Sequence, residues 1–206
     1  MDLLEPIFDC NDVGVLTREE SYRGYTAMET LTLHHAQFQG GRTQVLSREC
    51  QNKPPVVAVL PYDPELDQVV LIEQFRVGAL EDSVSPWLIE VVAGVSDKTG
   101  ESLEDLAKRE VLEETGLAVH DLALMHTYWV SPGGSNEHVT LFCGKVSAPA
   151  SGGFYGLSHE GEDIRSMVMS VDQALQILAE GRISSSLTLI ALQWLALHKD
   201  ALSNKW

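Results

Sequence analysis

Residues 100–117 read GESLEDLAKREVLEETGL, and Glu101, Arg109, Glu110, Glu113 and Glu114 are side chains that could do chemistry together. Leu103, Leu106 and Ala107 recur at the spacing of a helix's core-facing stripe. Continued toward the C-terminus, that stripe runs through Glu110, Val111 and Glu114. Two carboxylates therefore stand where the periodicity calls for buried apolar groups. A solvated acidic face accounts for Glu104 and Asp105 but not for Glu110 and Glu114. A buried ion pair is a second explanation, with Arg109 beside Glu110 and Glu113. One guanidinium does not balance three carboxylates, however, and burying them unpaired costs roughly several kcal/mol each. The third is a divalent cation, since oxygen-only ligands at i and i+4 suit a hard ion such as Mg2+ or Mn2+. Spacing alone leaves the choice between ion pair and metal open.

The flanking sequence supplies the elements that must hold these groups. Ser102, with Asp105 three residues on, is an N-terminal cap signature, and Gly116 suits the position just past the helix end. Upstream, PVVAVLPYD (55–63) and DQVVLIEQF (67–75) are rich in β-branched residues and flank a turn at Pro64–Asp67. WLIEVVAG (87–94) reads as one strand ending at Gly94. Downstream come the strands DLALMHTYWV (121–130) and HVTLFCGKV (138–146), a glycine-rich stretch from Ser151 to Gly161, and the strand DIRSMVMS (163–170). Ser170 and Gln173 form a capping box for the helix VDQALQILAEG, which Gly181 stops. A last helix carries Leu187, Ile190, Ala191, Trp194 and Leu195 on one face. Mixed strands with helices between and after them indicate an α/β sandwich.

Ahead of this lies a different pattern. VGVLTREESY, YTAMETLTLHH and RTQVLSREC are strand-like, and the turn Gln39–Arg42 joins the last two as a hairpin. This small antiparallel meander has little material for a core of its own and is expected to pack on another surface. The break at QNKPPV divides the chain into a meander, residues 1–52, and a main domain, residues 53–206.

Composition narrows the partners. Asp and Glu total 30 against 14 Lys and Arg, a formal net charge of -16. Nucleic acid and anionic membrane are poor partners for such a chain, and an anionic substrate must meet local cations or metal ions. Cys10, Cys50 and Cys143 are odd in number and lack metal-ligand spacing, so they read as reduced thiols. The N-terminus MDLLEPIFDCND lacks the apolar run of a signal peptide, and LTLIALQWLAL is too short to span a bilayer. A cytoplasmic protein is expected.

Glu101, Arg109, Glu110, Val111, Glu113, Glu114, Gly116 and Leu117 match the Nudix box in register, and the chain resembles the Nudix hydrolase family. Gly94 departs from the pattern: six residues, VSDKTG, separate it from Glu101, one more than the box holds. The extra residue lies in the loop ahead of the helix. YRGY (22–25), LSRE (46–49), LIEQFR (71–76), SPGGSNE (131–137), GLSHEGEDI (156–164) and IALQWL (190–195) look like the bacterial ADP-ribose pyrophosphatases of that family, so nearly the whole chain is covered.

The resemblance implies an α/β/α sandwich with a mixed sheet, preceded by the antiparallel meander. It implies Mg2+-dependent hydrolysis of ADP-ribose to AMP and ribose 5-phosphate, with Mn2+ as a possible substitute. Glu110 and Glu114 become metal ligands, joined by the backbone carbonyl of Ala93 and by Glu162. Glu113 supports them or shares a metal, and Arg109 orients Glu101 and the other acids. Glu160 matches the family's catalytic base; by its chemistry alone His159 is an equal rival, with an unperturbed pKa near 6.5. Arg76 is expected to grip phosphate or the terminal ribose. Tyr25, Arg48 and Glu49 are expected to serve the adenine side of a partner subunit's site, making a homodimer with shared active sites. Thr26, Val95, Ser131, Pro132, Gly133 and Glu137 join the expected substrate contacts. So does Lys53, which stands where close relatives have arginine and would lose a bidentate contact. The alternative is hydrolysis of another nucleotide sugar, ADP-glucose or GDP-mannose. A ligand-sensing regulator built on a Nudix domain would need a basic DNA-binding module, which this acidic chain with an intact box does not suggest.

Overall fold

The structure is a computed structural model that describes residues 5–206, the side chains of Glu160, Ser203 and Asn204 excepted. It divides into two compact units. One comprises the chain up to Pro54 together with Trp129–Glu137; the other comprises Pro55–Tyr128 and His138–Trp206.

The smaller unit is a three-stranded antiparallel sheet of β1 (Val13–Arg23), β2 (Ala27–His35) and β3 (Leu46–Asn52), with β2 in the middle. The turn into β3 closes through hydrogen bonds from Gly40 N to Gln37 O and from Gln37 N to Gly41 O. Gly40 and Gly41 both have φ near +80 to +90°, which glycine adopts without strain. β3 starts later than the sequence pattern suggests, because only an isolated Ala36–Arg42 bridge pairs the chain just past the turn. No described residue of this unit is buried.

The larger unit is the expected α/β/α sandwich. Its mixed sheet contains β4 (Val56–Asp63), β5 (Gln68–Phe75), β6 (Trp87–Glu90), β7 (Val92–Val95), β8 (Asp121–Trp129), β9 (His138–Lys145), β10 (Phe154–Tyr155) and β11 (Ile164–Ser170). The main path runs β10-β11-β5-β4-β9-β8, with β6 added to β5 and β7 to β4. β4 and β9 are parallel. Alternate residues of β4 face opposite layers. Val57 and Val59 pack with Leu106, Ala107 and Val111 of α1 (Leu103–Thr115). Ala58, Leu60 and Tyr62 pack with Ala174, Leu192 and Leu195, carried by α2 (Val171–Ala179) and α3 (Ser186–Lys205).

WLIEVVAG is two strands rather than one. Glu90 stands opposite Ile72 of β5, whereas Val92 stands opposite Val59 of β4. β4 and β5 pair directly only at Tyr62–Val69 and Asp63–Gln68, and the segment lies where they part. An unbroken apolar run carries no mark of such a change of partner.

The helix ends follow the capping residues. Ser102 Oγ accepts from Asp105 N at 3.1 Å, and Gly116, at φ 72°, closes α1 by donating to Leu112 O. Ser170 and Gln173 make the expected reciprocal box on α2.

Candidate active site

Four elements supply the charged groups of the site in the larger unit: α1, the β6–β7 segment, the end of β5 and the loop after β10. The α1 stripe turns inward as its periodicity requires. Leu106, Ala107 and Val111 are buried, and Glu114, on the same stripe, is only 2% exposed. Its Oε2 is buried without a hydrogen-bond partner among the described residues, while its carboxyl takes a backbone hydrogen bond at Ala93. Burial pushes the Glu114 pKa up to about 9, helped by the nearby charges of Glu110 and Glu162. Burial likewise pushes Glu110 up to about 7, with Arg109 pulling the other way.

Arg109 ties the acids together. Its Nε and Nη2 donate to the two oxygens of Glu101 at 2.9 and 3.1 Å, a bidentate pair. Its Nη1 lies 2.9 Å from Glu113 Oε2 and 2.8 Å from Glu110 Oε1. The Glu101 bond leads in raising the Arg109 pKa, and the same contact holds Glu101 below the usual carboxylate range. Glu114, the most buried of these acids, makes no ion pair among the described residues.

Gly94 is where the strand must come close. A Cβ there would meet the Glu110 carboxyl carbon at 2.1 Å, so the Glu110 side chain lies across the strand only because this residue is glycine. Ala93, beside it, directs its N–H at Glu114; in a strand the N–H and C=O of one residue share an edge, so its carbonyl faces the same side. Glu162 enters from the loop, where its Oε2 accepts from Leu157 N at 3.0 Å. Gly161 closes the preceding short 3-10 turn with φ 75°. His159 is exposed in that turn. The side chain of Glu160, the expected base, lies outside the described residues.

Arg76 follows β5 and donates through Nε to Glu90 Oε2 at 2.6 Å. Its charge also lowers the pKa of Glu114, which places it beside the acids. Glu90 is a buried participant that the sequence reading passed over. Its signal was an acid inside the apolar run WLIEVVAG. Val95 ends β7 and is partly exposed.

The remaining expected contacts lie in the smaller unit. Tyr25 sits fully exposed between β1 and β2, and Thr26 beside it accepts from Gln51 Nε2 at 3.2 Å. Arg48 and Glu49 are exposed on β3, and Arg48 Nη1 donates to the neighbouring Ser47 O. Ser131, Pro132 and Gly133 belong to a turn in which Gly134 and Ser135 donate back to Ser131 O. That loop pairs with the end of β3, and Lys53 Nζ binds Glu137 Oε2 at 2.7 Å. Two expected substrate contacts therefore hold each other.

The donor set suits a hard divalent cation. Glu110, Glu114, Glu162 and the Ala93 carbonyl would all offer oxygen, and Glu114 Oε2 has lone pairs with no donor among the described residues. Among the described residues no three side chains already converge on a common point for a metal. Glu110 is drawn to Arg109 and would have to turn from it to share an ion with Glu114. Gly94→Ala tests this arrangement. The added methyl displaces the flexible end of Glu110 rather than backbone, so folding should persist while activity falls by ~10²-fold. Circular dichroism with an assay over a Mg2+ series would show it, and unchanged activity would rule out a working role for that close approach.

A family model described as the NUDIX domain matches residues 52–188. The chain belongs to the NUDIX family. It is 42% identical over 205 residues to the ADP-ribose pyrophosphatase of Escherichia coli (strain K12), covering 100% of this chain and 98% of that one. It is 34% identical over 153 residues to a GDP-mannose pyrophosphatase of Enterobacter sp. (strain 638), covering 72% of this chain and 76% of that one. A crystal structure of an ADP compounds hydrolase matches with a TM-score of 0.66 at 20% identity, over 90% of this chain and 95% of the other. That likeness is one of fold.

Proposed function

We propose that this protein hydrolyses the pyrophosphate of ADP-ribose to AMP and ribose 5-phosphate, using Mg2+ or, in its place, Mn2+. The observation that carries the proposal is the buried, unpartnered oxygen of Glu114 beside Glu110 and Glu162. Full-length similarity to an ADP-ribose pyrophosphatase supports the substrate, since the GDP-mannose enzyme aligns over less of the chain and at lower identity. The site is proposed to work in the cytoplasm; no helix of the described residues is long and apolar enough to cross a membrane.

A divalent cation at this site supplies positive charge to the pyrophosphate oxygens and acidifies the attacking water. The protein's own groups do the rest. Glu110, Glu114, Glu162 and the Ala93 carbonyl hold the ion, and the Leu157 N–H aims Glu162. Arg109 keeps Glu101 and Glu113 in place. Arg76, anchored through one nitrogen to Glu90, offers its remaining donors to a phosphate. Glu160 takes the proton of the attacking water as the phosphorus–oxygen bond to the leaving group breaks. Tyr25, Arg48 and Glu49 serve the adenine side of a partner subunit's site, and Thr26, Lys53, Val95, Ser131, Pro132, Gly133 and Glu137 are further substrate contacts.

Product analysis with ADP-ribose, ADP-glucose and GDP-mannose in the presence of Mg2+ tests the substrate. AMP and ribose 5-phosphate from ADP-ribose at the highest kcat/KM is the expected result, and preference for GDP-mannose would overturn it. The base has its own test. Glu160→Gln should lower kcat by ~10²–10⁴-fold with little change in KM, and His159→Ala should leave the chemical step nearly intact. The opposite pattern would assign the base to His159.

A further inference from the structure

We propose that Thr188, in the first turn of α3 on the far face of the sheet, is a positioning residue for the carboxylate site and acts through the backbone of Val91. The inference builds on the function proposed above for that site.

Val91 lies at the change of partner between β6 and β7 and belongs to neither strand. It is fully buried, so its N–H cannot turn to water. A buried backbone donor left unmet is strongly disfavoured. Thr188 Oγ1 accepts this N–H at 2.9 Å, across 97 residues of sequence. The face of α3 around it is apolar: Ala191, Leu192 and Leu195 are all buried in the core. Thr188 is itself 0% exposed, a polar group set into that surface where the sheet's own hydrogen bonding fails.

The groups of the site hang on this point. One residue before it, Glu90 holds Arg76. Two residues after it, Ala93 directs its N–H at Glu114. Three residues after it, Gly94 lies against Glu110. The N–H groups of Val91 and Ala93 are thus met by helices from opposite layers, Val91 by α3 and Ala93 by α1. Losing the Thr188 acceptor frees Val91 to rotate in search of another. That rotation moves the Ala93 carbonyl and the Glu90 carboxylate relative to α1. A bond that served stability alone would leave catalysis unchanged well below the unfolding temperature.

Hydrogen exchange of the Val91 amide, followed by NMR, reads the bond directly. Strong protection is expected in the wild type and in Thr188→Ser, with exchange at least ~10-fold faster in Thr188→Val. In Thr188→Val, kcat for ADP-ribose should fall ~10-fold with KM within ~2-fold, and half-saturating Mg2+ should rise several-fold. Thr188→Ser should restore both to within ~2-fold of wild type. Wild-type kcat and Mg2+ requirement in Thr188→Val, despite lost Val91 protection, would overturn the proposal. Titration of the wild type with Mg2+ alone needs neither folding of the variant nor turnover. The Val91 amide and the Thr188 methyl should shift together with the Ala93 and Gly94 amides. Shifts at Ala93 and Gly94 with an unmoved Thr188 methyl would sink the positioning role and leave the metal site standing. No shift anywhere would sink both. Shifts as expected without hydrolysis of ADP-ribose would remove only the substrate assignment.

Discussion

Glu114→Gln should lose hydrolysis on the order of 10³-fold, yet hold its metal-free stability better than the wild type as pH rises. Both effects come from one buried carboxyl. A hard cation needs the charge that glutamine lacks, while the shape is kept. The stability effect follows from the raised pKa. The ordinary value is 4.5 and the folded value about 9. The unfolded chain therefore gives up this proton first. Stability associated with Glu114 is fully present below about pH 4.5 and is lost as pH climbs through the window to about 9. Across that window, at about 1.4 kcal/mol per pKa unit, the metal-free wild type should lose on the order of 6 kcal/mol through this group, and Glu114→Gln should show a flatter profile. Denaturant titrations at pH 5 and pH 9 in chelator measure it. Added Mg2+ should recover stability in the wild type, because an ion that binds only the folded state shifts the equilibrium by mass action, and should do little for the variant. Equal pH slopes for the two proteins would mean that Glu114 is not held against its charge.

The inward acids were legible in sequence because helical periodicity is a strict ruler. Leu103 and Ala107 set a phase, and Glu110 and Glu114 fall on it whatever surrounds them. The capping residues Ser102, Gly116 and Ser170 were legible for a similar reason, since each acts on backbone a few residues away. What was not legible depends on distant partners. WLIEVVAG breaks at Val91 because β4 and β5 diverge there, and the hydroxyl that meets the break comes from α3. The Arg76–Glu90 pair joins the ends of two strands whose register no local pattern states. Glu110 lies across Gly94 because strand and helix happen to approach at that residue. β10, only Phe154 and Tyr155, is too short to carry an alternating pattern.

Mixing Arg48→Ala with Glu114→Gln, each nearly inactive alone, should restore hydrolysis to roughly a quarter of wild type, if dimers exchange at random and sites work independently. The reason begins in the smaller unit. Its strands leave Val13, Val15, Leu16 and Tyr22 exposed, and no described residue in it is buried. A three-stranded sheet without a buried core is a poor independent fold, so its exposed apolar side chains call for a partner. We take that partner to be a second copy of the chain, whose site receives Tyr25 and Arg48 from its neighbour. Arg48 suits the role, since it is exposed and bound only to the adjacent Ser47 carbonyl among the described groups. In a heterodimer with shared sites, one site then gathers both lesions and the other has none. Half of randomly mixed dimers are of this kind, and each carries one intact site of two. Sites built within single chains would give no recovery, because every site would keep one lesion. Light scattering on the wild type decides the premise: a monomer at assay concentration would exclude shared sites outright, whereas a dimer without recovery on mixing would confine Arg48 to its own chain's chemistry.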